Sequence, residues 1–175
     1  MKFILIYEFL SEQGGLEREI INHANFLKQE KHEVLILTCY KSKDIEKLLP
    51  FEGLKIKEIS IIKTPFETIN LILCFLGLNN LHKYNPDFFL SYSAPSNFLI
   101  RRNQAKKINY VNHYPHFLYL QGKEKNKWAN SLTRKISLIL NIFFGNRLRK
   151  IDRKDIPTNP SGEATLKIVQ KHFQR

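Results

Sequence analysis

Two kinds of hydrophobic pattern alternate along this chain. The first is a short run apolar on both alternating faces: Phe3-Ile4-Leu5-Ile6-Tyr7, Val34-Leu35-Ile36-Leu37-Thr38 and Phe88-Phe89-Leu90-Ser91-Tyr92. Such runs suit strands covered on both sides, as in the middle of a parallel sheet. The second repeats every three or four residues. Over residues 16–29, Leu16, Ile20, Ile21, Ala24 and Leu27 fall on one stripe, which predicts an amphipathic helix. Glu17 and Glu19 lie in its first turn and Lys28, Lys31 and His32 at its end, matching the polarity of the helix dipole.

The same reading carries down the chain. A short charged helix is expected over 43–49, ended by Pro50. Residues 54–62 alternate apolar and polar like an edge strand, and 66–83 read as one helix with an unusually apolar face. Asn85-Pro86-Asp87 is a turn before the third buried run. Ser93-Ala94-Pro95 opens a helix with Arg101-Arg102 at its basic end, and residues 108–112 form a fifth strand. Helical periodicity returns over 127–150 through Trp128, Leu132, Ile136, Leu140 and Phe143. A short strand near Ile156 and a helix over 161–173, capped by Ser161, close the pattern. Strands alternating with helices predict a single α/β domain over 1–175. Its architecture is a Rossmann-like open, mostly parallel sheet with helices on both faces and ligands at the carboxyl ends of the strands.

Composition adds compartment and charge. Cys39 and Cys74 are too few for a disulfide scaffold and read as reduced core thiols of a cytoplasmic protein. The start is a strand pattern rather than a signal peptide, and the longest apolar run, residues 71–78, is too short to span a bilayer. Residues 1–100 carry 11 Lys and Arg against 12 Asp and Glu, whereas 101–154 carry 14 against 2. The net charge of +12 therefore arises in one third of the chain. That stretch is either a solvated basic face or a surface for polyanions. Within it, Arg134, Lys135, Arg147, Arg149 and Lys150 accompany the apolar stripe of 127–150, with Tyr114, Phe117, Tyr119 and Trp128 nearby. This pattern suits either a core-packed helix with a basic outer face or one lying on an anionic membrane surface. Nucleic acid is the weaker partner, because no recognised motif or regular basic–aromatic spacing is present.

Candidate chemistry gathers after the first strand. Gly14-Gly15 runs into a helix amino terminus, where free amides attract phosphate, although two glycines also simply make a tight turn. The three-glycine dinucleotide fingerprint and the P-loop lysine are missing. Glu8, expected just past the strand at its carboxyl edge, is either a hydrogen-bond acceptor for a ligand or a solvated loop carboxylate. The histidines and cysteines show no metal-ligand spacing, so neither metal nor cofactor is expected in this chain.

Gly14-Gly15-Leu16-Glu17-Arg18, a helix, and then Lys31-His32-Glu33-Val34-Leu35-Ile36-Leu37-Thr38 resemble the opening of family-4 retaining glycosyltransferases of the GT-B architecture, with Lys31 where glycine is usual. Asn85-Pro86-Asp87, Tyr110-Val111-Asn112-His113-Tyr114-Pro115 and Thr158-Asn159 resemble later segments of that family, with Pro160 where serine is usual. The resemblance implies the acceptor-side half of such an enzyme. A nucleotide-sugar donor would bind a C-terminal domain that this chain lacks or that a partner chain supplies, and the half alone would bind without turnover. The acceptor would be a glycan, lipid-linked in some relatives. Gly14 and Gly15 would meet the donor diphosphate, and His113, with His116 as the alternative, would lie near the transferred sugar. Glu17 or Arg18 would contact the acceptor or close the interdomain cleft; both otherwise read as surface helix charge. A non-catalytic binding subunit is the second reading of the same features.

Overall fold

The computed structural model describes residues 1–11, 14–43, 45 and 53–110, together with 135, 138, 139, 141, 142, 145, 146, 149 and 150. The chain divides into two compact units, Met1–Asn112 and His113–Arg175.

In the first unit, β1 (Lys2–Leu10) leads through α1 (Gly15–Gln29) to β2 (Glu33–Lys41) and β3 (Lys55–Glu58). Helix α2 (Glu67–Phe75) and a 3-10 turn (Leu81–Lys83) then lead to β4 (Phe88–Ser91), α3 (Ala94–Ile100) and β5 (Lys106–Asn109). The five strands form one sheet in the order β3-β2-β1-β4-β5, and every pairing is parallel. This is the expected Rossmann-like open sheet. Strand β1 is central: Ile4 pairs with Leu35 on one side and Phe89 on the other. Phe3, Ile4, Leu5 and Ile6 are all buried, which explains why the run is apolar at consecutive positions. Ile4 and Ile6 pack with Leu35, Leu37, Phe89 and Ile100 on one face of the sheet. The alternate residues Phe3 and Leu5 point to the other face, which α1 covers with Ile20, Ile21, Ala24 and Leu27.

Several boundaries differ from the pattern: β5 lies at Lys106–Asn109 rather than 108–112, and β2 extends to Lys41. Strand β1 runs on to Leu10, because Phe9 and Leu10 keep pairing with Tyr40 and Lys41, so Glu8 lies inside the strand. The helix expected over 66–83 stops at Phe75. There Gly77 turns the chain at φ +92°, and Asn79 forms an antiparallel bridge with Ser60. Strand β3 ends at Glu58, short of the expected 54–62. Cys39 and Cys74 are free and buried, but their surroundings are not wholly apolar. Ser60 Oγ lies 3.1 Å from Cys74 Sγ and donates to the Cys39 carbonyl at 2.7 Å. The Cys39 thiol, hydrogen-bonded to the Cys74 thiol and buried, is raised above its ordinary range, and the same hydrogen bond lowers Cys74.

In the second unit, the described residues between 135 and 150 are helical, in line with the expected periodicity. The stripe residues Trp128, Leu132, Ile136, Leu140 and Phe143, most of the expected helix over 43–49, and everything expected beyond residue 150 lie outside the described residues.

Two glycines at helix ends, Gly15 and Gly77, should respond oppositely to alanine. Gly15 is helical with open space where a Cβ would project, so Gly15→Ala should stabilise by about 0.5 kcal/mol. Gly77→Ala forces a side chain into the left-handed region and should cost about 1–2 kcal/mol. Urea denaturation followed by far-ultraviolet circular dichroism measures both.

Candidate functional site

The sheet reverses its direction of growth at β1. Strands β2 and β3 are added on one side, and β4 and β5 on the other. The crevice at the carboxyl ends of β1 and β4 is therefore the topological switch point, where open α/β sheets place ligands.

Alternation along β1 puts Glu8 on the same face as Ile4 and Ile6, toward α3. Strand β4 ends at Ser91, and Ser93 caps α3 by accepting a hydrogen bond from the Ser96 amide at 3.2 Å. The same Ser93 hydroxyl donates to Glu8 Oε2, and the buried Ser96 hydroxyl donates to that oxygen at 3.1 Å. One carboxylate oxygen thus ties β1 to the start of α3. Burial raises the Glu8 carboxyl above the ordinary range, and the negative charge of Glu17 adds to this. The serine hydroxyls and a backbone bond offset part of the rise.

On the opposite face, the next β1 residue, Tyr7, lies against Glu17. Burial pushes its phenol well above the ordinary range, helped by the charges of Glu8 and Glu17. Farther along the edge, the Ser91 hydroxyl bonds Asn97 and, at 2.8 Å, Asn109. Buried Tyr92 shares a 2.9 Å hydrogen bond with His23 Nδ1, and His23 stacks edge-on with Tyr110. Burial lowers the imidazole pKa against the opposing pull of Glu19.

The candidates of the sequence fall out unevenly on this geometry. Glu8 is no solvated loop carboxylate; it is a half-buried strand residue held by two serines. Glu17 is no surface charge, because it is buried at the start of α1. A Cβ on Gly14 would collide with the Glu17 carboxylate, so the absence of a side chain at 14 makes room for Glu17. Gly14 itself is in ordinary extended backbone. The helix start that the phosphate expectation rests on is therefore already faced by an acidic side chain. Arg18 is exposed on the outside of α1. Lys135 and Lys150 are exposed, whereas Arg149 is half-buried and donates to Asn146 at 2.7 Å and Asn141 at 3.3 Å. His113, His116, Arg134 and Arg147 lie outside the described residues.

Sequence reading missed Ser93 and Ser96 as partners of Glu8. The available signals were the Ile4-Ile6-Glu8 alternation and two serines three residues apart around Pro95. Among the described residues, no three His, Cys, Asp or Glu side chains converge as a metal would need, and no helix is long and apolar enough to cross a membrane.

No protein-family profile and no curated protein matches the chain. Among solved structures, it is similar to the glycosyltransferase SsfS6 from Streptomyces sp. SF2575, at 13% identity and a TM-score of 0.40, over 62% of this chain and 38% of that one. It is also similar to a glycosyltransferase from Rickettsia africae ESF-5, at 22% identity and a TM-score of 0.42, over 75% of this chain and 34% of that one. The chain thus spans little more than a third of either.

The raised Glu8 carboxyl sets a direction for stability against pH. The folded protein holds this proton longer than the unfolded chain, so the Glu8 contribution is most favourable below the ordinary carboxylate range. It is lost as pH rises from that range toward the raised folded value. Glu8→Gln keeps a carbonyl to accept from Ser93 and Ser96 without the buried charge. Its unfolding free energy should fall less over that window than the parent's, as measured by urea melts at a series of pH values.

Proposed function

We propose that this chain is the acceptor-side half of a glycosyltransferase. Support comes first from the Glu8–Ser93–Ser96 cluster at the switch point between β1 and β4. A carboxyl group backed by two hydroxyls offers strong, directional acceptors and donors, the chemistry that picks out the hydroxyls of a sugar. Half-buried Tyr110, packed on the ring of Tyr92, adds aromatic surface along the same edge. The second support is the resemblance of residues 14–38 to the opening of retaining family-4 enzymes.

In this reading Glu8 accepts a hydrogen bond from an acceptor hydroxyl, while Ser93 and Ser96 hold its carboxyl in place. Glu17, buried behind Gly14, would move aside before a donor diphosphate could approach the start of α1. Arg18 on the outer surface of that helix would meet the opposing domain across the cleft. His113 would orient the transferred sugar, with His116 as the alternative. The nucleotide sugar would be held by a second domain or partner chain, and transfer would proceed with retention. The acceptor would be a lipid-linked glycan, reached by a protein that meets an anionic membrane surface through Arg134, Lys135, Arg147, Arg149 and Lys150.

Saturation-transfer NMR of the chain with a panel of oligosaccharides and, separately, with nucleotide sugars tests this reading. Saccharide binding is expected, weakened about tenfold by Glu8→Gln, the worth of one hydrogen bond to a charged group. Nucleotide-sugar binding in the absence of saccharide binding would overturn the acceptor assignment, as would a Glu8→Gln protein that binds saccharide unchanged.

A further inference from the structure

Helix α2 is apolar on both faces: Leu71 and Cys74 pack against the core, and much of the outer face is apolar too. Its inward face carries Asn70 and Cys74, each only 1% exposed. Asn70 is satisfied by the chain before the helix: its Oδ1 accepts from the Thr64 amide and its amide donates to the Thr64 carbonyl, both at 2.8 Å. On the face opposite, Ile69, Ile72 and Leu76 recur at three and four residues. Ile69 is 41% exposed and Leu76 73%. Phe66, 62% exposed, and Phe75, 45% exposed, flank the helix at its two ends. Ile61 joins the apolar surface by bonding its amide to the Leu78 carbonyl at 3.2 Å, and both side chains are exposed. A continuous apolar face of this kind on water-exposed secondary structure marks a contact surface.

The surrounding charge says what the contact is. Between residues 53 and 83 the exposed charged side chains are Lys55, Lys57, Lys63 and Lys83, all cationic. Both acids of this stretch, Glu58 and Glu67, are half-buried, and Glu58 is paired with Lys63, which leaves Lys55, Lys57 and Lys83 as the exposed cations outside that pair. Lysine is depleted from protein–protein interfaces but favoured beside anionic lipid headgroups. A nine-residue helix is about 13 Å long, far too short to cross a bilayer but suited to lying in its surface.

We propose that α2 and the adjoining 61–66 and 76–78 segments insert into the surface of an anionic phospholipid membrane, with Ile69, Leu76 and Phe66 entering the acyl boundary and the lysines meeting the headgroups. This surface is made of other residues than the basic ones at 135–150, and it stands apart from the glycosyl-transfer reading, because vesicle binding needs no sugar.

Flotation with phosphatidylcholine vesicles, with and without phosphatidylglycerol, tests the proposal on the whole chain. The protein should float with the anionic vesicles at low salt. Ile69→Glu and Leu76→Glu, both at exposed positions, should each lower the bound fraction about tenfold or more, since each replaces inserted apolar surface by a charge. Far-ultraviolet circular dichroism of both variants should match the parent. In a Leu76→Trp protein, emission should shift to the blue on vesicle addition and be quenched by brominated acyl chains. The proposal fails if both Glu variants float like the parent, or if Trp at 76 stays water-like while Lys135→Glu and Lys150→Glu release the protein. It also fails if the chain ignores vesicles and forms a dimer that Ile69→Glu abolishes, which would make this face a contact between copies.

Discussion

Burial of β1 on both faces and along both edges is the constraint from which the rest of the structure follows. Its four consecutive buried residues need a sheet neighbour on each side and a helical layer above and below. Once β2 has taken one edge through α1, β4 has to reach the other, and the connection through β3 and α2 delivers it. That requirement creates a switch point at the carboxyl end of β1. The polar edge there is thus a consequence of how the central strand is buried, and the first polar side chain that β1 directs into it is Glu8.

A carboxyl group in that position is costly unless it is bonded, because desolvation penalises its charge. The chain meets the cost with the start of the next helix. Ser93 would be needed as a cap in any case; by also donating to Glu8 it makes one hydroxyl serve two elements. Ser96 adds a second donor from a fully buried position. Tyr7 and Glu17 repeat the motif of a polar pair on the opposite face, so the end of β1 is flanked by acidic groups above and below. The mutual repulsion of these charges adds to desolvation in raising Glu8 and Tyr7.

The outer face of α2 breaks the economy seen elsewhere. Every other described element of the first unit turns its apolar residues mainly inward, whereas α2 buries an asparagine and shows isoleucine and leucine to water. The apolar surface left out would cost nothing only where it meets another apolar medium, which is why this helix is read as a contact surface rather than as imperfect packing.

The architecture was legible in the sequence because its signals are local and strong. Runs apolar at every position require a sheet covered on both sides, and the stripe from Leu16 to Leu27 requires a helix above it. Glu17 shows where local reading stops. In sequence it is an acidic residue in a first helical turn, and its burial follows only from the closeness of Tyr7 and the bare backbone of Gly14. Glu8 was visible as a residue at the right strand, but Ser93 and Ser96 lie 85 and 88 positions away, and only strand order brings them to it. The apolar character of residues 66–78 was equally plain, yet periodicity gives the existence of a face and not its direction. Which side of α2 meets the core was decided by the turn at Gly77, by the bonds of Asn70 to Thr64, and by the fit of Cys74 beside Ser60. These are interactions between distant backbone segments, and no pattern of single residues contains them.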